Sequence, residues 1–413
     1  MDNKYMDYDT EILIVGGGLI GSAMAIALSS IGFDITVVDR QSNQLKKADI
    51  FDGRAYALSH ASVRMLKALG LWDSVKKNTQ PILDIKVSDG RVGEGASDWF
   101  LHFDHQELEE GPMGHLIEDR YIREAFKASI SRSKQIKYIY GAEVVSKTVD
   151  ETGVNLNLLD GHVLRSRLLI GCDGRNSKIA KWSDISHFGW DYNQTALVCA
   201  LSHEKPHLGV AHQFFTPSGP LAILPLPDNK SSIVWTETKD QANLINTLDD
   251  KAYLAAISPV IGDFLGRISL VGDRFSYPLG LSIADKFVIN RTVLVGDSAH
   301  GIHPLAGQGL NLGLKDIAAL TEVLALAKRR GENFASKDVL ERYQKWRRFD
   351  TSAMALATDS INKLFSNDNS ILRSIRDIGL GGVNSTPQLR RSFMRHAAGL
   401  SGDLPKLLQG QVI

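Results

Sequence analysis

Cysteine is scarce in this chain, with two residues, Cys172 and Cys199, among 413. Their spacing fits neither a CxxC pair nor a metal-ligand pattern. This excludes a disulfide-stapled scaffold and a zinc ribbon, and no metal site is expected. Neither sign of charge is in excess, since 47 basic residues balance 47 acidic ones. That balance excludes the broad electrostatic footprint of a nucleic-acid-binding protein. No apolar run reaches the length needed to span a bilayer, and the N-terminal stretch MDNKYMDYD is polar and acidic, unlike a signal peptide. Internal repeats and low-complexity segments are missing as well. A cytoplasmic, reducing location is expected, and peripheral contact with a membrane surface stays open. The length suits two or three domains, and a hydrophobic content of 43% supplies a core that needs no staples.

Near the start, a β-branched run from Glu11 to Val15 meets GGGLIGS, Gly16 to Ser22. An Ala-rich helical pattern follows to about Ser30, and FDITVVD, Phe33 to Asp39, reads as the next strand. This is a G-x-G-x-x-G between a strand and a helix. Gly16 makes the turn, Gly18 lets a pyrophosphate approach, and Gly21 allows the helix to pack closely on the strand. Asp39, followed by Arg40, closes the second strand near the spacing of the acid that holds an adenosine ribose. The pattern predicts a dinucleotide site without saying which dinucleotide. A second strand–GxGxxG–helix is lacking, and GLGG, Gly379 to Gly382, precedes no βα unit and reads as a loop or helix cap. One tightly held cofactor therefore takes the only such fold.

Asp52 to Gly70 runs from a loop into an amphipathic helix with Val63, Leu66 and Leu69 on one face. Arg54, ahead of that helix, reads by itself as a solvated loop arginine. Ile82–Val87 and Trp99–Phe103 read as strands. Asp119–Ser131 reads as a helix whose first charges, Glu118, Asp119, Arg120 and Arg123, cap it or lie on the surface, with facing a ligand as the alternative. Short strands are expected from Tyr138 to Leu159. The apolar run Arg167–Ile170 ends in GCDGRNS, Gly171 to Ser177. From Ile185 to Trp235, alternation and turn signals predict antiparallel strands, as in a sheet-based substrate domain. Within it LAILPLP, Leu221 to Pro227, reads equally as a buried strand or a pocket wall. A helix is expected over Asp249–Ile257. The last part is helical from Ser336 to about Phe365 and breaks at a polar, glycine-rich segment near Gly379 to Thr386. It resumes over Gln388–Ala398, basic on one face through Arg390, Arg391 and Arg395. That face reads as solvated, with a membrane surface or partner as the alternative.

The densest stretch is VGDSAHGIHPLAGQGLNLGLKD, Val295 to Asp316. A strand ends at Gly296-Asp297, a turn follows, and a helix runs from near Gly309 to about Arg329. Free N–H groups and the positive helix end make such a place an anion site. Asp297 at the strand tip can accept from sugar-like hydroxyls, and Gly307, Gln308 and Gly309 let backbone approach a flat ligand. Asp173 and Asp297, two strand ends closed by an acid beside glycine, join one GxGxxG in an unusual constellation.

These three stretches resemble, in content and order, the three fingerprints of the single-component flavoprotein aromatic hydroxylases. HPLAGQGLNLGLKD, His303 to Asp316, closely resembles the signature of their ubiquinone-biosynthesis branch (the UbiH/UbiF/VisC and Coq6 group). DGRAYALSHASVRML, QFFTPSGPLAILPLP and the tail from Pro387 to Gly410 are similar to that branch too, so the likeness spans nearly the whole chain. It departs at Cys172, where a small residue such as Ala is usual, and at Ala180, where an arginine is common.

The resemblance implies an α/β aromatic hydroxylase fold: a Rossmann-like FAD-binding domain, an antiparallel-sheet substrate domain and a helical C-terminal region. The segments implied are 1–76, 105–181 and 275–331 for FAD, 77–104 and 182–274 for substrate, and 332–413 for the helical region. It also implies FAD as resident cofactor, NAD(P)H and O2 as co-substrates, and hydroxylation of a polyprenylated phenol in ubiquinone biosynthesis. By position, Gly16, Gly18 and Gly21 would hold the pyrophosphate, and Asp39, with Arg40 beside it, the adenosine ribose. Arg54 would reach the FAD from its loop. Asp173 and Gly174 would serve both FAD and the reduced nicotinamide. Asp297 would hold ribityl or ribose hydroxyls, and Gly307, Gln308, Gly309, Leu310 and Asn311 would lie against the isoalloxazine. Leu224, Pro225, His303 and Pro304 are candidates for the wall of an apolar ring pocket. No general base is assigned, and His300 and His303 read as residues that order their loop. The implied partners are the prenylated substrate, arriving from a membrane or a lipid-binding protein, and other quinone-pathway proteins, with a location at the inner membrane surface left open. Two alternatives stay open: a hydroxylase of a small soluble phenol, and a non-catalytic flavoprotein subunit of a biosynthetic complex. A halogenase is disfavoured by the lack of a Trp-x-Trp-x-Ile-Pro string.

Overall fold

A computed structural model describes residues 8–42, 51–91, 95–303, 307–366, 379 and 381–413. The first sheet orders its strands as Val288–Ile289, Thr292–Leu294, Val163–Gly171, Thr10–Val15, Ile35–Asp39 and Ile136–Tyr140. The strands Val144–Val149 and Val154–Leu158 extend from Val163–Gly171. Thr10–Val15 is parallel to both neighbours, and Thr292–Leu294 is parallel to Val163–Gly171. Parallel strands are covered on both faces, which is why Ile12, Leu13 and Ile14, like Leu168, Leu169 and Ile170, form unbroken buried runs. Register decides what happens at the carboxyl ends. Val15 lies opposite Gly171, and Gly171 opposite Leu294. The loops starting at Gly16, Cys172 and Val295 therefore open side by side at one edge, where open α/β sheets bind ligands.

A second sheet holds eight strands, in the order His300–Gly301, Ile268–Ala284, His187–His203, Lys230–Thr238, Gly219–Leu226, Val210–Thr216, Asp84–Arg91 and Gly95–Asp104. Only Val210–Thr216 and Asp84–Arg91 pair in parallel within it. One face packs Leu221, Ile223 and Trp235 under the helices Lys239–Asn246 and Asp250–Ile261. The other packs Phe215 and Leu226 with Phe365 and Met394.

Four expectations need correction. The apolar run Ile82–Val87 is two strands: Thr79–Ile82 joins a three-stranded sheet with Ala55–Ser59 and Gly114–Glu118, and Asp84–Arg91 joins the eight-stranded one. The chain changes sheets at Leu83, whose N–H and C=O bond Gly209 and His105. The boundary at 274 falls inside the strand Ile268–Ala284, whose burial does not alternate and so leaves no period-two signal. In the glycine-rich segment, Gly379 and 381–385 are helical. Glycine weakens a helix by only about 1 kcal/mol relative to alanine, and Val383 packs into the cluster around Met394 and Phe365. On the helix Pro387–Ala397, Arg390 and Arg395 are ion-paired with Glu107 and Glu110, at 2.9 and 2.8 Å, so that face is not simply solvated.

The helices Gln308–Arg329 and Lys337–Phe365 pack against each other around a buried charge. Asp316, with no exposed surface, accepts from the Gly296 N–H at 2.9 Å and from Arg347 Nε at 2.7 Å, and bonds His300 Nε2 at 2.5 Å. Arg347 also reaches Asp350, which Lys315 holds at 2.8 Å. Burial alone would push the Asp316 carboxyl up, but His300 and Arg347 outweigh it and hold the group below its usual range. Its contribution to stability is therefore complete above the ordinary aspartate pKa of about 3.9, and is lost as pH falls through the depressed folded value. Arg347→Met leaves a buried carboxylate short of its guanidinium partner and is expected to cost about 3–5 kcal/mol, read as a lower unfolding midpoint. Asp316→Asn is expected to flatten the acid limb of the stability–pH curve.

Candidate functional site

At the shared strand edge lies a cleft of about 320 Å³, lined on one side by Gly16, Gly17, Gly18, Asp39 and Arg40 and on the other by Cys172, Asp173 and Gly174. The glycines differ in what they face. A Cβ on Gly16, whose φ is +97°, would meet the Cys172 carbonyl oxygen at 2.4 Å, and one on Gly21 would meet the Gly16 oxygen at 1.8 Å. These two let protein pack against protein. A Cβ on Gly18 would meet nothing within 4 Å. Gly18 caps the helix Leu19–Ser30 with no side-chain hydrogen bond and no acid in the first turn. Free N–H groups and the positive helix end are thus left at this point.

Asp39 accepts from the N–H groups of Gly17 and Gln41, at 3.1 and 3.0 Å. Tyr138 donates to the Gly17 carbonyl at 2.9 Å and stands 3.4 Å from Asp39. Burial first, and Asp39 second, raise the Tyr138 hydroxyl, so it stays protonated and a donor. In the middle fingerprint the Asp173 carboxylate turns inward, taking Ser177 Oγ at 2.6 Å and the Ile179 N–H at 3.1 Å. Arg175 reaches across to the third fingerprint, 3.8 Å from the exposed Asp297 and 3.4 Å from the Ile302 carbonyl. Ala180, in the position where arginine is common, is buried.

The remaining expected residues stand apart from this cleft. Gly307, at φ +65°, begins the helix Gln308–Arg329, again with no side-chain cap and no acid in the first turn. Asn311 bolts that end in place: it accepts from the Ser59 N–H and Ser62 Oγ, both at 2.8 Å, and donates to the Ala57 carbonyl at 2.9 Å. Gln308 and Asn311 border a separate small cavity of about 40 Å³. Arg54, just ahead of the strand Ala55–Ser59, pairs with Asp52 at 2.6 Å and Asp119 at 3.2 Å rather than lying solvated. Asp119 and Glu118 are buried acceptors for Arg123 and Arg120, so these charges form internal pairs and are neither caps nor a surface patch, and Arg123 also lines the cleft.

LAILPLP is the buried strand Gly219–Leu226. Leu224 joins the cluster with Phe215 and Phe365. Pro225, one residue on, points to the opposite face with Leu221 and Ile223, so the two cannot share one wall. His300 does order its loop, through Asp316. His303 does not: it is fully buried beside Tyr192, ring centroids 5.3 Å apart, and neither ring nitrogen has a partner among the described residues. Burial, then Arg175, lower its pKa to about 4, so it is neutral at pH 7. Pro304 lies outside the described residues. Asp316 closes the third fingerprint, where one aspartate in a helical pattern carries no local sign of the charges that meet it. Tyr138, Arg175 and Arg347 carried no local signal, because their partners are distant in sequence.

The family described as "FAD binding domain" matches residues 9–357. Ubiquinone hydroxylase UbiL of Rhodospirillum rubrum is 40% identical over 407 residues, which covers 98% of this chain and 94% of that protein. The 3-demethoxyubiquinol 3-hydroxylase of Escherichia coli is 33% identical over 393 residues, 95% of this chain and 99% of that protein. Among solved structures, p-nitrophenol 4-monooxygenase of Pseudomonas putida covers 96% of this chain and 99% of its own, with a TM-score of 0.81 at 18% identity, a likeness of fold. With this match of sequence, motif order and architecture, the chain belongs to the FAD-dependent hydroxylases of ubiquinone biosynthesis, an aromatic-ring monooxygenase family.

Proposed function

We propose that this chain hydroxylates the aromatic ring of a polyprenylated phenol on the route to ubiquinone, with FAD resident and NAD(P)H and O2 as co-substrates. The observation that carries this reading is the convergence of three loops on adjacent strand ends, two of which line one cleft. The open space at Gly18 fits FAD: no protein atom requires a glycine there, whereas a ligand lying over the backbone does. When bound, FAD takes reducing equivalents from NAD(P)H and activates O2 for transfer of a hydroxyl group to the ring.

The protein's own part is to hold, orient and exclude water. Gly16, Gly18 and Gly21 with the free helix end at Leu19 would hold the pyrophosphate, and Asp39 with Arg40 the adenosine ribose. Asp173 and Gly174 would border the cofactor and the nicotinamide, Asp297 would hold its hydroxyls, and Arg54 would approach from its loop. Gly307 through Asn311 would lie under the flavin ring, where the uncapped helix end favours negative charge. Leu224, stacked Phe215 and Phe365, and the neutral His303 would shape a pocket that keeps water out. The substrate domain would comprise 77–104 and the second-sheet strands from His187 through Ala284, with the FAD-binding segments around it and the helical region from 332. A prenylated substrate suits delivery at a membrane surface or by quinone-pathway proteins. No helix among the described residues is long and apolar enough to cross a membrane.

Gly18→Ala adds a methyl only to the open cleft. It should keep the wild-type unfolding midpoint as apo-protein yet purify with several-fold less flavin, measured as flavin absorbance per protein. Gly21→Ala should lower the midpoint itself. Asp297→Ala is expected to lose flavin, and full occupancy in that variant would remove Asp297 from the site. For the reaction, the chain is expressed in bacterial strains each lacking one ring hydroxylase of ubiquinone synthesis, with quinone and intermediates read by mass spectrometry. Restored quinone is expected, and the rescued strains identify the carbon attacked. Flavin-loaded protein without rescue would favour a small-phenol hydroxylase or a subunit role, and substrate-dependent NAD(P)H oxidation separates those two.

A further inference from the structure

The helix Lys337–Phe365 carries apolar residues on both sides. Its buried face sets Arg347, Thr351, Thr358, Asp359 and Asn362 beside Val339, Leu340, Tyr343, Ala355 and Phe365. Its outer face carries Phe349, 81% exposed, and Leu356, 68% exposed. Phe349, Ala353, Leu356, Ser360 and Lys363 follow a spacing of four, three, four and three residues, which sets them on one side of the helix, and all are exposed. The surface continues onto the strand His187–His203: Lys363 Nζ lies 4.7 Å from the Trp190 ring centre, and Phe188, 67% exposed, meets Trp190 edge-on at 5.5 Å. Exposed apolar groups grouped in this way mark an interaction surface.

Charge identifies the occupant. Lys345 and Arg348 flank Phe349, are exposed, and have no ion-pair partner among the described residues. Arg342, one turn before them, pairs with Glu332 at 2.6 Å, and Lys363 at the far end pairs with Asp359 at 2.9 Å, so the charge this face offers is that of Lys345 and Arg348. From Arg342 to Lys363 no exposed residue of the helix is acidic. Asp350 turns inward to Arg347 and Lys315, and Asp359 is buried on Tyr192. A second copy packed on this patch about a twofold axis near Phe349 would bring Lys345 and Arg348 of one helix against those of the other, and like charges repel. An anionic bilayer accepts all of them, with the rings in the interface and the long cations reaching the headgroups.

We infer that this face of Lys337–Phe365, with Phe188 and Trp190, docks the enzyme on an anionic lipid surface; the inference rests on the lipid-like substrate proposed above. The inner side of the same helix supplies Ala355 to the cluster of Leu281, Ile302 and Leu312. Tyr192, bonded to Asp359, stands beside His303. The docking face is thus about one helix diameter, roughly 10 Å, from the candidate ring pocket.

The test is flotation of the flavin-loaded full chain with vesicles of phosphatidylcholine alone and of equal parts phosphatidylcholine and phosphatidylglycerol. Binding is expected only to the anionic vesicles, weakening with salt. Phe349→Ser with Leu356→Ser should lower partitioning at least tenfold. Lys345→Ala with Arg348→Ala should lower it by about fivefold per cation. Arg391→Ala, an exposed arginine on another helix, should change it least, and flavin content should be unchanged throughout. Absence of binding, binding indifferent to these variants, or a concentration-dependent dimer abolished by Phe349→Ser would each overturn the inference. Turnover of a short-prenyl phenol in detergent is measured in parallel. Turnover without vesicle binding defeats the docking surface alone, and vesicle binding without turnover defeats the assigned reaction alone.

Discussion

One buried carboxylate sets the position of much else. Asp316 sits inside the protein with three donors around it, and each comes from a different place in the chain: the Gly296 amide at a strand tip, His300 in the following loop, and Arg347 on the last long helix. A carboxylate that lacked these partners could not stay ionised in so dry a place. The three contacts are therefore mutually enforced. Because Leu294 is registered to Gly171 and Gly171 to Val15, holding Gly296 also fixes where the third loop opens relative to the other two. The site is assembled by sheet register and locked by one charge.

Two helix ends in this fold begin with glycine and no cap. Serine or aspartate at either place would satisfy a free N–H and steady the helix. Glycine at Gly18 and Gly307 leaves those donors, and the positive end of each helix, for something outside the chain. Around them the acids are otherwise occupied. Asp173 closes its own turn, while Asp52 and Asp119 are spent on arginines. Local charge thus permits an anion at both helix ends, and the bonds of Asn311 keep the second end rigid while it waits for one.

The GxGxxG turn, Asp39 and the long helices were legible in the sequence because each is written locally, as glycine spacing, a β-branched run or a 3.6-residue period. Ile82–Val87 misled because an apolar run carries no mark at the residue where it leaves one sheet for another. The arginines of Pro387–Ala397 looked like a solvated face because Glu107 and Glu110 lie nearly three hundred residues earlier. Tyr138 and Arg175 went unnoticed for the same reason. Their chemistry depends on partners that only the tertiary fold brings near. His303 shows the reverse, since its motif suggests an ordered loop, yet neither of its ring nitrogens has a hydrogen-bond partner among the described residues.

A ring hydroxylase of this kind faces opposed demands. The reaction needs water kept away, while a prenylated phenol must pass from a lipid phase to the flavin. A helix with an ordinary apolar inner face would meet the first demand and leave a polar outer surface with nothing to offer lipid. Lys337–Phe365 divides the work differently. Its inner face sets apolar Val339, Leu340, Tyr343, Ala355 and Phe365 beside polar groups that are bonded inside the protein: Arg347 to Asp316 and Asp350, Asp359 to Tyr192 and Lys363, and Asn362 to Gln194. Those internal bonds join the packing of Val339, Leu340, Tyr343 and Phe365 in holding the helix, so its seating does not need Phe349 or Leu356. Phe349 and Leu356 are consequently free to face outward. On the docking surface proposed above, the same element would seal the interior and meet the membrane, because inner-face packing and ion pairs supply the anchoring that burial of Phe349 and Leu356 would otherwise add.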